Sequence, residues 1–370
     1  MKIGIVTIYD YTNYGNRLQN YALTTLLKNE GLEVFNDIEV YTKEDWINNT
    51  SNKLKKYIKR AIPFWIVSQK INSSKKHVKE IYIEREKNFR IFGKSYSETI
   101  KPIVVTSNKV AHEYFKNIGI EYFIVGSDQV WNPYFAGDTY QFLTFVPKNM
   151  RYSFAASIGI DSIPNDRKEF YKKHLSEMKY LSVREENATE IIYDLTGKNA
   201  DITLDPTLLL SKNEWDKIVK KPTLCLEDEY ICTYFLGEIP KAVKIFAEKK
   251  NIIIYQLNSL ENKEFFALNP AEFLFMIKNA KYVLTDSFHA VAFSIKFHKE
   301  FYVFRRKQLG YESMFSRIET IIKRFGLESK IQDRDEIKET TSMIDWEMID
   351  DILEFEKEKS IKKLFEVMEL

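Results

Sequence analysis

The segment Tyr282 to Ser294, YVLTDSFHAVAFS, sets an aspartate, a serine and a histidine where an apolar strand turns into a helix opening at about Phe288. A helix opens with free backbone N–H groups, and Asp286 and Ser287 are residue types that cap them, so this turn can seat a phosphate or a carboxylate. His289 falls in the first turn. Beside a bound anion an imidazole holds its proton, which suits it to donate a hydrogen bond or to act as a general acid. The plainer reading, a capped helix with a satisfied histidine, fits the spacing equally.

Two other segments end strands in the same way. In LSVREE, Arg184 follows an apolar run, and its planar fork matches a carboxylate or phosphate; a salt bridge to Glu185 or Glu186 is the competing use. In GSDQVW, after the run YFIV, Gly126 permits a close turn beside Ser127, and Asp128 either accepts a hydroxyl proton or caps a helix. The first loop, DYTNYGNRLQ, offers Asn13, Gly15, Asn16, Arg17 and Gln19, an amide-rich set that suits sugar hydroxyls as well as ordinary turns. It lacks the glycine spacing of a dinucleotide site. Asp205, before Pro206, reads as part of a rigid turn.

These loops need strands to carry them. Lys2 to Ile8 is a short β-branched run, Leu18 to Asn29 has helical spacing, and Gly31 ends that helix. Strand and helix patterns then alternate through Tyr122–Val125, Tyr180–Val183, Asn187–Leu195 and Ala200–Leu204. A second series runs from Tyr230–Phe235 to Phe301–Phe304. Alternation of this kind predicts parallel sheets covered by helices, with ligands at the carboxyl ends of the strands. The expected units are an N-terminal Rossmann-like domain over 1–212, a second over 213–340, and a helix over 341–370 packing back on the first.

The insertion 42–92 breaks the pattern. Between residues 51 and 92 it carries twelve basic residues against Glu80, Glu84 and Glu86. Its plain reading is a solvated helical excursion; the sharper one is a basic surface meeting anionic lipid or a lipid-linked substrate. Over the whole 370 residues, 55 Lys and Arg balance 53 Asp and Glu, a net charge of +2 that gives no field for grasping nucleic acid. Cys225 and Cys232 are too few for a disulfide framework and wrongly spaced for a metal pair. No secretory leader or membrane-spanning run is recognisable, so a cytoplasmic protein, at most peripheral to the inner face of the membrane, is expected. Walker A, HExxH and GxSxG motifs are absent, and neither a bound metal nor a cofactor is expected.

The stretches KIGIVTIYDYTNYGNRLQNYAL, FIVGSDQVWNP, YSFAASIG, LSVREENA, LDPTLLL, NPAEFLFMIKNAKYVLTDSFHAVAFSI and SRIETIIKRFGL, in this order, resemble the polysaccharide pyruvyl transferase family over nearly the whole chain. The resemblance implies two Rossmann-like domains in a GT-B-like arrangement with an interdomain cleft. It also implies transfer of pyruvate, as a ketal, from phosphoenolpyruvate to a saccharide or lipid-linked saccharide. In such enzymes the matching arginine and histidine are associated with the donor, which here gives Arg184 as anion clamp and His289 as acid, with Asp286 and Ser287 beside the donor. Asp128 is then the hydroxyl base, and Asn13, Gly15, Asn16, Arg17, Gln19, Gly126 and Ser127 face the acceptor. Where the family commonly has glycine after the histidine, this chain has Ala290. Two other functions fit such a fold: a nucleotide-sugar glycosyltransferase, with a nucleoside diphosphate site in the second domain, and a saccharide-binding protein without catalysis.

Overall fold

The computed structural model describes residues 1–36, 38, 40–42, 75–96, 98–99, 103–134, 139–306, 315–339 and 343–370. Most of the basic insertion, including Lys53, Lys55, Lys56 and Lys59, lies outside the described residues. Among those described, no helix is long and apolar enough to cross a membrane.

Short β-branched runs form the strands. In chain order the first half has β1 (Lys2–Val6), β2 (Glu33–Asn36), β3 (Val40–Thr42), β4 (Glu98–Thr99), β5 (Ile103–Val105), β6 (Ile120–Val125), β7 (Arg151–Ser153), β8 (Ser182–Val183) and β9 (Asp201–Ile202). Five of them make one sheet in the order β4-β2-β1-β6-β7, with every pairing parallel. The β8–β9 pair joins its edge through the bridges Tyr152–Tyr180 and Ala156–Val183. The second half has β10 (Tyr230–Tyr234), β11 (Ile253–Gln256), β12 (Tyr282–Thr285), β13 (Glu300–Phe304) and β14 (Ile331–Gln332), again all parallel, in the order β11-β10-β12-β13-β14. Such strands are covered on both faces, so they read as continuous apolar runs: Ile3, Ile5 and Val6 of β1 are fully buried. The expected fold class, two Rossmann-like units, is the one observed.

Helices close both faces. Helix α1 (Tyr14–Asn29) begins one turn before the expected Leu18, because Asn13 takes extended backbone and its side chain accepts from the Asn16 N–H at 3.2 Å. Nearly every face of α1 is buried. Its Tyr14 stacks on Phe273 at 4.1 Å between centroids and donates to the Leu268 carbonyl at 2.8 Å, so the first helix of one half is packed against the other. The short helix α2 (Pro206–Leu209) is capped by Asp205, which accepts from the Thr207 N–H at 2.9 Å, and Pro206 holds the first helical position. It packs against α1, against α3 (Phe288–Lys296) and, beyond α4 (Ser316–Arg324), against the C-terminal helix α5 (Trp346–Met368). Helix α5 touches both halves: Tyr122 Oη donates to the Met368 carbonyl at 2.9 Å, and Asp350 pairs with His298 at 3.0 Å.

Leu208 is fully buried where α2 meets these three helices. Replacing it with alanine removes packing from every one of them and should cost about 2–5 kcal/mol in urea unfolding. A loss under about 1 kcal/mol would show that α2 is not the point on which they converge.

Candidate functional site

Arg184, just past β8, is the centre of a buried charge cluster. Its side chain is 1% exposed. Nη1 is ion-paired with Asp205 Oδ2, Nη2 lies 3.6 Å from Asp128 Oδ1, and the guanidinium sits 4.7 Å from the centre of the Phe288 ring. It pairs with neither neighbour in sequence. Glu185 turns away, its Oε1 accepting from Ser157 Oγ and the N–H groups of Ile158 and Gly159 at 2.9–3.0 Å. The Arg184 Nε and Nη2 atoms are buried without a hydrogen bond, which leaves part of the fork open to an incoming anion.

The carboxylates around it are held from several elements. Asp205, beyond β9, accepts from Ser127 Oγ at 3.1 Å through Oδ2 and from Thr207 through Oδ1. Asp128 takes left-handed backbone, φ 67°, a costly conformation for a residue other than glycine. Its Oδ2 accepts from Asn16 Nδ2 at 3.1 Å. Gly126, at the end of β6, could not be another residue: a Cβ there would stand 2.3 Å from the Phe154 carbonyl oxygen.

From the second half, β12 and the start of α3 bring His289. Nε2 stands 3.8 Å from Asp205 Oδ2 with no hydrogen-bond partner. The opposite side of the ring presses on α1, where a Cβ on Gly15 would fall 1.9 Å from Nδ1. Gly15 is therefore the opening through which the histidine reaches the first half. Ser287 is the N-cap of α3, as its type suggested, yet its side chain makes no cap bond. Asp286 does not cap either: its carboxylate accepts from the N–H groups of Leu236 and Gly237 at 2.7 and 2.9 Å and from Arg306 Nε at 3.1 Å, tying the loop after β10 to the strand end.

The set expected to face an acceptor sits largely inside. Asn16, Arg17, Gln19 and Ser127 are all at most 1% exposed. Asn13 caps α1. Arg17 donates to the Ile8 carbonyl at 2.9 Å and lies over the Tyr9 and Tyr11 rings. Gln19 accepts from the Ser127 N–H and donates to Thr7 Oγ1, each at 2.9 Å. In the unliganded protein these groups shape the loop above β1.

Sequence reasoning missed Arg317, at the start of α4, which is 9% exposed and lies 5.8 Å from the centre of Phe288. It also undervalued Asp205. The single available hint for Arg317 was its place in the segment SRIETIIKRFGL. A cavity of about 400 Å³ lined by residues including Arg305, Gln332 and Arg334 shares no residue with the cluster; the chemistry follows the charges. Among the described residues no group of three or more His, Cys, Asp or Glu side chains could hold a metal ion.

The charges set the protonation. Burial pushes the Asp128 and Asp205 carboxyls up, but Arg184 and then His289 more than offset it, so both lie below the usual carboxylate range. Burial lowers the His289 pKa, and the pull of Asp205 and Asp128 does not restore it against Arg184 and Arg317. Burial, with Arg184 next, brings Arg317 down to about 10. The unliganded cluster thus holds two carboxylates, two guanidiniums and a neutral imidazole. Because the folded protein resists protonating His289 while the unfolded chain takes that proton near pH 6.5, stability falls as pH drops below that value. Melting temperatures between pH 7 and pH 5 should fall less steeply for His289→Gln than for the parent; equal slopes would show that His289 does not contribute.

No curated protein matches the chain significantly. Among solved structures, S. aureus MnaA with UDP aligns over 100% of this chain and 97% of its own, at 10% identity and a TM-score of 0.48. The UDP-GlcNAc 2-epimerase of Neisseria meningitidis bound to UDP-GlcNAc aligns over 100% and 99%, at 8% identity and a TM-score of 0.46. ADP-heptose lps heptosyltransferase II of E. coli aligns over 100% of both chains, at 12% identity and a TM-score of 0.31. The sequence profile described as polysaccharide pyruvyl transferase matches residues 13–308, from the cap of α1 to just past β13 and across every cluster residue except Arg317. By that match, the chain belongs to the polysaccharide pyruvyl transferase family.

Proposed function

We propose that this protein transfers the pyruvyl group of phosphoenolpyruvate to two hydroxyls of a saccharide, forming a ketal and releasing phosphate. The observation that carries the reading is the meeting of Arg184 from one half with His289 from the other, both buried and both with unbonded nitrogen atoms. Phosphoenolpyruvate carries a carboxylate and a phosphate on one carbon, and a guanidinium fork beside the opening turn of a helix suits such a pair of anionic groups.

The reaction adds a proton to the methylene carbon, leaving an oxocarbenium-like centre at C2. One sugar hydroxyl attacks that centre, the C2–O bond to phosphate breaks, and the second hydroxyl closes the ketal. Of the two hydroxyl protons displaced, one balances the new methyl group and the other leaves with phosphate. His289 is the acid in this scheme. It is neutral in the unliganded site, so it gains its proton as the anionic donor arrives and raises its pKa. Asp128 accepts the hydroxyl proton. While paired with Arg184 it is a weak base, and it strengthens when the donor draws that guanidinium away.

The melting temperature should rise with phosphoenolpyruvate and not with a nucleotide sugar, and the rise should vanish in Arg184→Lys and His289→Gln. Lysine is chosen because removing the charge would strand two buried carboxylates. Calorimetry in buffers of different ionisation enthalpy should show proton uptake on binding near pH 7. Stabilisation by a nucleotide sugar instead would turn the reading to glycosyl transfer, and a shift surviving both variants would move the donor elsewhere.

A lipid-linked acceptor would give the basic stretch 51–92 a role. Charge reversal at Lys53, Lys55, Lys56 and Lys59 should then weaken sedimentation with vesicles containing anionic lipid, falling steeply with salt. Unchanged sedimentation would remove the membrane from this scheme.

A further inference from the structure

Arg317 is a buried cation whose charge Glu185 and Asp128 favour from nearby without pairing with it. It forms no ion pair with any described residue, and its Nε is buried with no hydrogen-bond partner. The Gln129 amide, turned so that its oxygen faces the guanidinium, accepts from Nη1 and Nη2 at 3.0 and 2.9 Å. That amide carries no net charge. Two other buried arginines each have a structural task that Arg317 does not. Arg85 donates to the Thr12 and Phe266 carbonyls and lies 4.4 Å from both the Tyr14 and Phe266 rings. Arg17 donates to the Ile8 carbonyl between two tyrosines. Among the described residues Arg317 ties no main-chain carbonyl, and it approaches the Phe288 ring, which also carries Arg184.

A guanidinium costs several kcal/mol to bury, and proteins that bury one pair it or hold it for a ligand. Burial and then repulsion from Arg184, which shares the Phe288 ring, weigh most against the charge of Arg317, with Glu185 and Asp128 pulling the other way, and an anion between the two guanidiniums would relieve that repulsion. We propose that Arg317 is a second, separate anion contact, which reads the carboxylate of the donor while Arg184 and His289 hold its phosphate. This rests on the phosphoenolpyruvate reading above. The two guanidiniums then select a ligand bearing two acid groups on one small carbon frame over one bearing a single acid group.

The test compares phosphoenolpyruvate with inorganic phosphate, by calorimetry, on the parent and on Arg317→Met. Phosphoenolpyruvate should bind the variant roughly ten- to a hundredfold more weakly, the loss of one charge-assisted contact, while phosphate binding changes by less than about twofold. The unliganded variant should melt no lower than the parent, and about 2 °C or more higher if the unpaired charge is relieved. Arg317→Lys, which keeps the charge and loses the planar fork, should fall between parent and Met variant for phosphoenolpyruvate. Equal weakening of both ligands, or of neither, overturns the proposal, as does a lysine variant indistinguishable from the Met variant in a folded state. A parent that binds phosphate but not phosphoenolpyruvate refutes the donor reading itself, and that outcome is visible before any variant is made.

Discussion

The Arg184–Asp205 ion pair is the constraint around which the other parts are arranged. A guanidinium and a carboxylate removed together from water hold only if every remaining polar atom nearby finds its place. Asp205 meets that condition by capping α2 and accepting from Ser127. Ser127 is fixed in turn by Gln19 of α1, and the second partner of Arg184, Asp128, by Asn16 one turn earlier. Three strand ends and two helices are thereby locked in register by a single buried ion pair. The second half enters through His289, against Gly15, and through Phe288, beneath the guanidinium.

The two guanidiniums of this arrangement are matched in number by two carboxylates, yet several of its nitrogen atoms are left without a hydrogen bond. Nε and Nη2 of Arg184, Nε2 of His289 and Nε of Arg317 all stand in a region from which water is largely removed. In that setting electrostatic interactions are strong, and a charge brought in from outside would change the protonation of its neighbours. Backbone strain at Asp128 marks the same spot.

Much of this was legible because its signals are local. The strand, turn and helix of 282–294 follow from the step between two hydrophobic periods, and Arg184 from its position at the end of an apolar run. What escaped reading depends on partners far away in sequence. The beginning of α1 was set too late because Asn13 looked like loop rather than cap. Asp286 has the right type for a cap, yet binds N–H groups fifty residues upstream. Gln19 and Ser127 resemble sugar-facing polar residues until each is seen to be the other's partner. Arg317 sits in a charged helix like any surface arginine, and only packing against Phe288 shows that it is buried.

One continuous apolar cluster joins Ile3, Leu18 and Leu204 of the first half to Phe273, Val291 and Phe293 of the second and to Leu364 of the C-terminal helix. Wide hinge-like parting of the two sheets would bare this seam to water, at about 25 cal/mol for each Å². Sliding of packed helices by small steps keeps it covered and is the cheaper motion. The molecule has the topology of two units and a single shared core, so its rearrangements are confined to small helix shifts and to the loops at the rim.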